Sequence, residues 1–205
     1  MHTTRPLPRR GALGPTWALA CSALLIGCSA APDPQTDTTW VPLVLAESWQ
    51  PAPAGADPMA HPTGSDVLAC GRQDWHPELD GLEIQTTHCN YAVVQQLLLR
   101  ALRQGDPLRV RVWWQTLVSP EPVEGHLALL VGEHLVWEER VRIPGPAASR
   151  EVELASPLSA PAGATVTFHL HNHGSNAWNL NEFALRAPSE STPAQTPADN
   201  TQPEE

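Results

Sequence analysis

From residue 82 to residue 186 the chain alternates apolar and polar side chains with a period of two, and proline or glycine breaks the pattern at short intervals. Alternate residues of a strand project to opposite faces, so this pattern describes half-buried β-strands and excludes amphipathic helices. "LEIQTT" (82–87) sets Leu82 and Ile84 against Glu83 and Gln85. "LRVRVWWQTL" (108–117) sets Leu108, Val110, Val112 and Trp114 against Arg109, Arg111, Trp113 and Gln115. "HLALLVGEHLVWEERV" (126–141) predicts two strands joined at Gly132-Glu133. The second of these is expected to bury Leu135, Trp137 and Val141 and to turn His134, Val136, Glu138 and Arg140 outward. "EVELA" (151–155), "TVTFHLHN" (165–172) and "AWNLNEFAL" (177–185) complete the set. Only "AVVQQLLLRALRQG" (92–105) admits a helical turn, at most a short helix near 95–104, and a strand continuing into it fits equally well. Many short strands with such turns predict an all-β protein, an antiparallel β-sandwich.

The N-terminus carries a different message. Arg5, Arg9 and Arg10 precede an apolar run too short to span a bilayer, which ends in Leu25-Ile26-Gly27-Cys28. This ending resembles the lipobox of bacterial lipoproteins. The resemblance implies removal of residues 1–27 as a signal peptide and acylation of Cys28. Ser29 after the cysteine implies the outer membrane of a Gram-negative cell envelope. Residues 28–37 read as a tether, and 38–66 as a possible first strand followed by a Pro/Gly-rich linker. Residues 67–186 form the sandwich, and the acidic tail 187–205 has too little apolar surface to fold. Cleavage leaves nine of the 12 basic residues against 22 acidic ones, a formal charge of −13. Such a chain is a poor partner for nucleic acid, whose binding depends on neutralising phosphates.

Without Cys21 and with Cys28 acylated, Cys70 and Cys89 remain. Outside the cytoplasm such a pair reads as a disulfide, worth about 3 kcal/mol by loop-closure entropy.

"LEIQTTHCNY" (82–91) and the terminal "TVTFHLHNHGSNAWNLNEFAL" (165–185), taken with the strand count, resemble the galactose-binding-like jelly roll. Many extracellular carbohydrate-binding modules use this fold, and the chain is similar to envelope lipoproteins that carry it. The resemblance implies glycan binding, and a structural calcium for which Asp74, Glu78, Asp80 and Glu182 are candidate ligands.

In "FHLHNHG" (168–174) His169, His171 and His173 share one face, with Phe168 and Leu170 on the other. Three readings stay open. The histidines are outward residues of an ordinary strand; or they hold a metal, with His126 or His134 completing the set; or they belong to a ligand face. In the third reading His169 and His171 neighbour Arg111, Trp113 and Gln115, a set suited to sugars, because an indole stacks on a pyranose and planar polar groups reach its hydroxyls. Asn172 points to the core side and needs internal partners there, whereas Gly174-Ser175-Asn176 is turn chemistry. No nucleophile or nucleotide motif is present, and Glu138-Glu139 point to opposite faces, so an enzyme is not expected. The expected function is a membrane-anchored, non-catalytic module that binds glycans or envelope material. The alternatives are an assembly lipoprotein that binds another protein, and a His-based metal-binding lipoprotein.

Overall fold

The computed structural model describes residues 39–59, 67–79 and 81–187. The signal peptide, Cys28, the tether, Asp80, residues 60–66 and the tail beyond 187 lie outside the described residues. The strands are β1 (Trp40–Pro42), β2 (Gln50–Pro51), β3 (Trp75–Glu78), β4 (Gly81–Gln85), β5 (Tyr91–Leu97), β6 (Pro107–Trp114), β7 (Val123–Val131), β8 (His134–Ile143), β9 (Ala148–Ala155), β10 (Thr165–His171) and β11 (Ala177–Arg186).

Their pairing is nested. β7 folds back on β8 across Gly132-Glu133, where Gly132 has φ +59°, as a II′ hairpin turn requires of its first residue. Around this tip β6 pairs with β9, β5 with β10, and β4 with β11. From β4 to β11 the described residues form one long hairpin rolled upon itself, and cross-pairs of β11 with β6 and β10 with β7 close the roll. The first sheet runs β3-β4-β11-β6-β9, with β1 also on β11; the second runs β2-β5-β10-β7-β8. This is the strand order of a jelly roll, and every described strand pair is antiparallel.

The core between the sheets collects the apolar half of each alternation: Ile84, Val110, Val112, Leu127, Leu129, Phe168, Leu170 and Phe183 are all at most 1% exposed. Trp114 and Trp178 pack at 5.6 Å between ring centroids. Gly125 leaves room for that packing, since a Cβ there would lie 3.1 Å from the Trp178 indole.

One open choice is resolved and one local expectation needs correction. No α-helix forms near 95–104, because Ala92, Val94, Gln96 and Leu98 are buried at strand period. Buried Gln96 meets its needs on Leu45, accepting from its N–H at 2.9 Å and donating to its carbonyl at 3.0 Å. In β8, Leu129 pairs with Trp137 and Leu130 with Leu135, so Val136 forms a β-bulge. The extra residue turns Val136 inward beside Trp137 and leaves Leu135 39% exposed, the reverse of strict alternation for those two.

The Cys70–Cys89 disulfide is formed, with Cα atoms 4.9 Å apart. It ties the segment before β3 to the β4–β5 connection.

Candidate ligand-binding face

On β10, Phe168 and Leu170 enter the core and His169 and His171 point outward, as the alternation requires. The outward side is nevertheless closed at its centre. The segment after β2 crosses it, starting from a hydrogen bond between Ala52 N–H and the Val93 carbonyl. There Asp57 Oδ2 lies 2.8 Å from His169 Nδ1 and accepts from the Tyr91 hydroxyl. The His169 and Asp57 side chains are 2% and 1% exposed. Burial pushes the Asp57 carboxyl up, but hydrogen bonds from His169, Tyr91 and the Met59 N–H outweigh it and hold it below the ordinary range. Burial, reinforced by Asp57, raises the Tyr91 phenol.

His126 stands opposite His171 in register and bonds Glu138 through Nε2 at 2.9 Å. Its ring centroid is 5.2 Å from that of His169. Burial lowers the His126 pKa despite Glu138. Burial, with the nearby His173, His169 and His126, lowers that of His171 to about 4, so this imidazole is neutral at pH 7. Among the described residues no three of these histidines bring ring nitrogens within 4.8 Å of one another.

The end of the stretch is a structural knot. Asn172 is fully buried and uses all its capacity, donating to Thr86 Oγ1 at 2.6 Å and the Gly174 carbonyl at 2.7 Å, and accepting from Trp178 Nε1 at 3.0 Å and Asn176 Nδ2 at 3.1 Å. Asn176 in turn grips both the N–H and the carbonyl of Val118. Gly174 takes φ +83°, and any Cβ there would collide with the Val118 carbonyl.

The composite face expected from sequence does not form. β6 belongs to the first sheet and β10 to the second, so Arg111, Trp113 and Gln115 look out on the opposite side of the sandwich from His169 and His171. Alternation places a residue relative to its own sheet; it does not say which sheet. Two of the calcium candidates are already engaged by protein donors. Asp74 Oδ2 accepts from the Gly71 N–H at 2.7 Å and from the Gln73 side chain, and Glu182 is held by Arg109 at 2.7 and 3.0 Å.

The outer face of the first sheet is exposed along β3, β6 and β9 and buried at Glu83 and Asn179 between them. Register aligns His76 (β3), Glu83 (β4), Asn179 (β11), Trp113 (β6) and Ser149 (β9) in one row straight across the strands. The next row holds Glu182, Arg111 and Glu151, with Arg111 3.2 Å from Glu151 and 3.6 Å from Glu182. Trp113 is half-buried, and Arg111 and Gln115 are exposed. A shallow hollow of about 530 Å³ runs beside Trp113, Gln115 and Ser149. A second, of about 500 Å³, opens where β11 exchanges β4 for β1, bordered by Arg111, Glu182, Asn181 and Glu47. Glu83 is 6% exposed and accepts from the Gln85 amide; Asn179 is 3% exposed with no hydrogen-bond partner on Nδ2. His76, Glu78 and Glu83 each bring one ligand atom within 4.8 Å of the others.

Sequence reasoning passed over Asp57, Tyr91 and His76. The first two lie in or beside a stretch with no periodicity. His76 had only a partial signal: "DG" at 80–81 marks a tight turn, but a two-residue loop made of those residues sets His76 against Gln85, and it is the observed Glu78–Gly81 pairing that sets it against Glu83.

No family model matches the chain, and no curated protein matches it in sequence. Among solved structures it is similar to a CBM4 structure at 10% identity over 56% of this chain and 76% of the other, with a TM-score of 0.37. It is similar to the CBM51 from Clostridium perfringens GH95 in complex with methyl-galactose at 10% identity over 72% and 99%, with a TM-score of 0.39. It is also similar to the Agl-KA catalytic domain at 13% identity and a TM-score of 0.33, of which the chain spans about a fifth (21%).

Proposed function

We propose that this domain is a non-catalytic module that binds glycan on the outer face of the first sheet, held at the cell envelope by acylated Cys28. The observation that carries the reading is Trp113, a half-buried indole set in a row of polar side chains with an open hollow beside it. An indole at an exposed sheet centre presents a flat apolar platform to the C–H side of a pyranose, while Gln115, Arg111 and Ser149 reach the hydroxyls. The acidic balance of the chain suits a neutral or cationic glycan rather than a polyanion. Retention of the full chain on a panel of insoluble polysaccharides and isolated envelope material tests this. The parent chain is retained and Trp113→Ala is not, with both folded by circular dichroism; equal retention of the two removes the face. For the anchor, Cys28→Ala is expected to move the chain from the membrane to the soluble fraction, and a variant that stays with the membrane removes the anchor.

A further inference from the structure

Glu83 is out of place for its surroundings. It is a carboxylate only 6% exposed, and no salt bridge reaches it among the described residues. A carboxylate removed from water is costly unless a cation or several donors compensate it. Across the β3–β4 pair it faces His76, and Glu78 follows two residues later on the same side of β3. One ligand atom of each lies within 4.8 Å of the other two. Zinc binds imidazole nitrogen at about 2.0–2.1 Å and carboxylate oxygen at about 2.0–2.2 Å, so donors around one ion sit within about 4.4 Å of each other. His76 and Glu78 are both exposed and free to rotate that remaining distance.

Asn179 is a second, independent sign. It is the register partner of Glu83 on β11, it is 3% exposed, and its Nδ2 has no partner. Buried amide donors are nearly always satisfied, so an orphan beside a buried carboxylate marks a missing participant. A donor behind a ligating carboxylate, or toward a water on the ion, is what metal sites use to fix their ligands.

We propose that His76, Glu78 and Glu83 hold a divalent first-row transition ion, zinc foremost, with Asn179 supporting Glu83 from behind. One imidazole and two carboxylates favour such an ion over calcium or magnesium, which take oxygen ligands. The ion cross-links edge strand β3 to β4 and leaves a fourth position open to solvent. The three ligands are separated from Trp113 by β11, where Asn179 is the register partner of both Glu83 and Trp113, and the site does not depend on glycan binding.

The test is calorimetric titration of the full chain, purified without a histidine tag and stripped with chelator, using Zn²⁺ and then Ca²⁺. One equivalent of Zn²⁺ binds and raises the melting temperature, and Ca²⁺ at equal concentration does not displace it. His76→Ala, an exposed change that leaves the fold intact, weakens binding by at least the roughly 10–100-fold typical of lost supporting groups. Glu83→Gln weakens it further, whereas His171→Ala and Trp113→Ala retain it. No uptake, uptake unchanged in His76→Ala and Glu83→Gln, or uptake lost in His171→Ala overturns the assignment. A Trp113→Ala chain that loses polysaccharide but keeps zinc separates this site from the glycan face.

Discussion

The two outer faces of the sandwich arise from the same alternation and have opposite fates. On the second sheet the outward side chains His169 and Tyr91 share Asp57 from the segment that crosses them, and His126, next to the His169 ring, bonds Glu138. On the first sheet the outward row holds a half-buried indole, and beside it the Asn179 amide nitrogen has no hydrogen-bond partner. Polar residues on a strand therefore become a hydrogen-bonded layer where a loop covers them, as at His169, and stay solvent-facing elsewhere, as at Arg111 and Gln115. The chemistry of a histidine stripe is decided by its cover more than by its spacing.

The largest effect separating the two faces is expected at Asp57. Asp57→Ala leaves His169 and Tyr91 buried without their shared acceptor, and urea denaturation should show a loss of about 3–5 kcal/mol. A loss near zero would mean that the roof is not closed. Next comes the disulfide: Cys70→Ala with Cys89→Ala should cost about 3 kcal/mol in the same measurement and leave the open face intact. A chain whose thiols react freely with alkylating reagent without prior reduction contradicts the bridge.

The closed face should also respond to acid. A histidine whose pKa falls on folding binds fewer protons folded than unfolded, so its contribution is present above the unfolded value and lost as pH falls. For His171 the window runs from 6.5 down to about 4, and lowered His126 acts in the same direction. Asp57, also lowered on folding, contributes above 3.8 and is lost below it. Melting temperature should therefore fall steadily from pH 7 to pH 4, and His171→Gln should flatten that slope. The smallest stability effect belongs to Trp113→Ala, within about 1 kcal/mol, because the ring lies on the solvent side of the sheet. A much larger loss would make Trp113 a structural cover.

Much of the roll was legible. Strands at 82–87, 108–117, 151–155 and 177–185, the Gly132 hairpin and the core position of Trp114 follow from period-two patterning and turn residues, and the Cys70–Cys89 bridge from the pair of cysteines left after the expected lipobox cleavage. What was not legible concerns partners distant in sequence. Nothing in "LRVRVWW" or "TVTFHLH" says that they lie in different sheets, since nested pairing assigns alternate rungs to opposite layers. The bulge at Val136 depends on a register shift that burial alone reveals. Asp57 comes from a proline- and glycine-rich stretch without periodicity, so the roof over His169 left no trace. Asn172 was a buried amide in search of partners, and only the fold shows that Thr86, Gly174, Asn176 and Trp178 supply them.

The contrast between the faces comes down to a paired measurement: retention of the full chain on its best polysaccharide, with Trp113→Ala and His171→Ala compared side by side. The open-face account predicts that Trp113→Ala loses retention while His171→Ala matches the parent. Retention lost in His171→Ala and kept in Trp113→Ala would place recognition on the other sheet and contradict it.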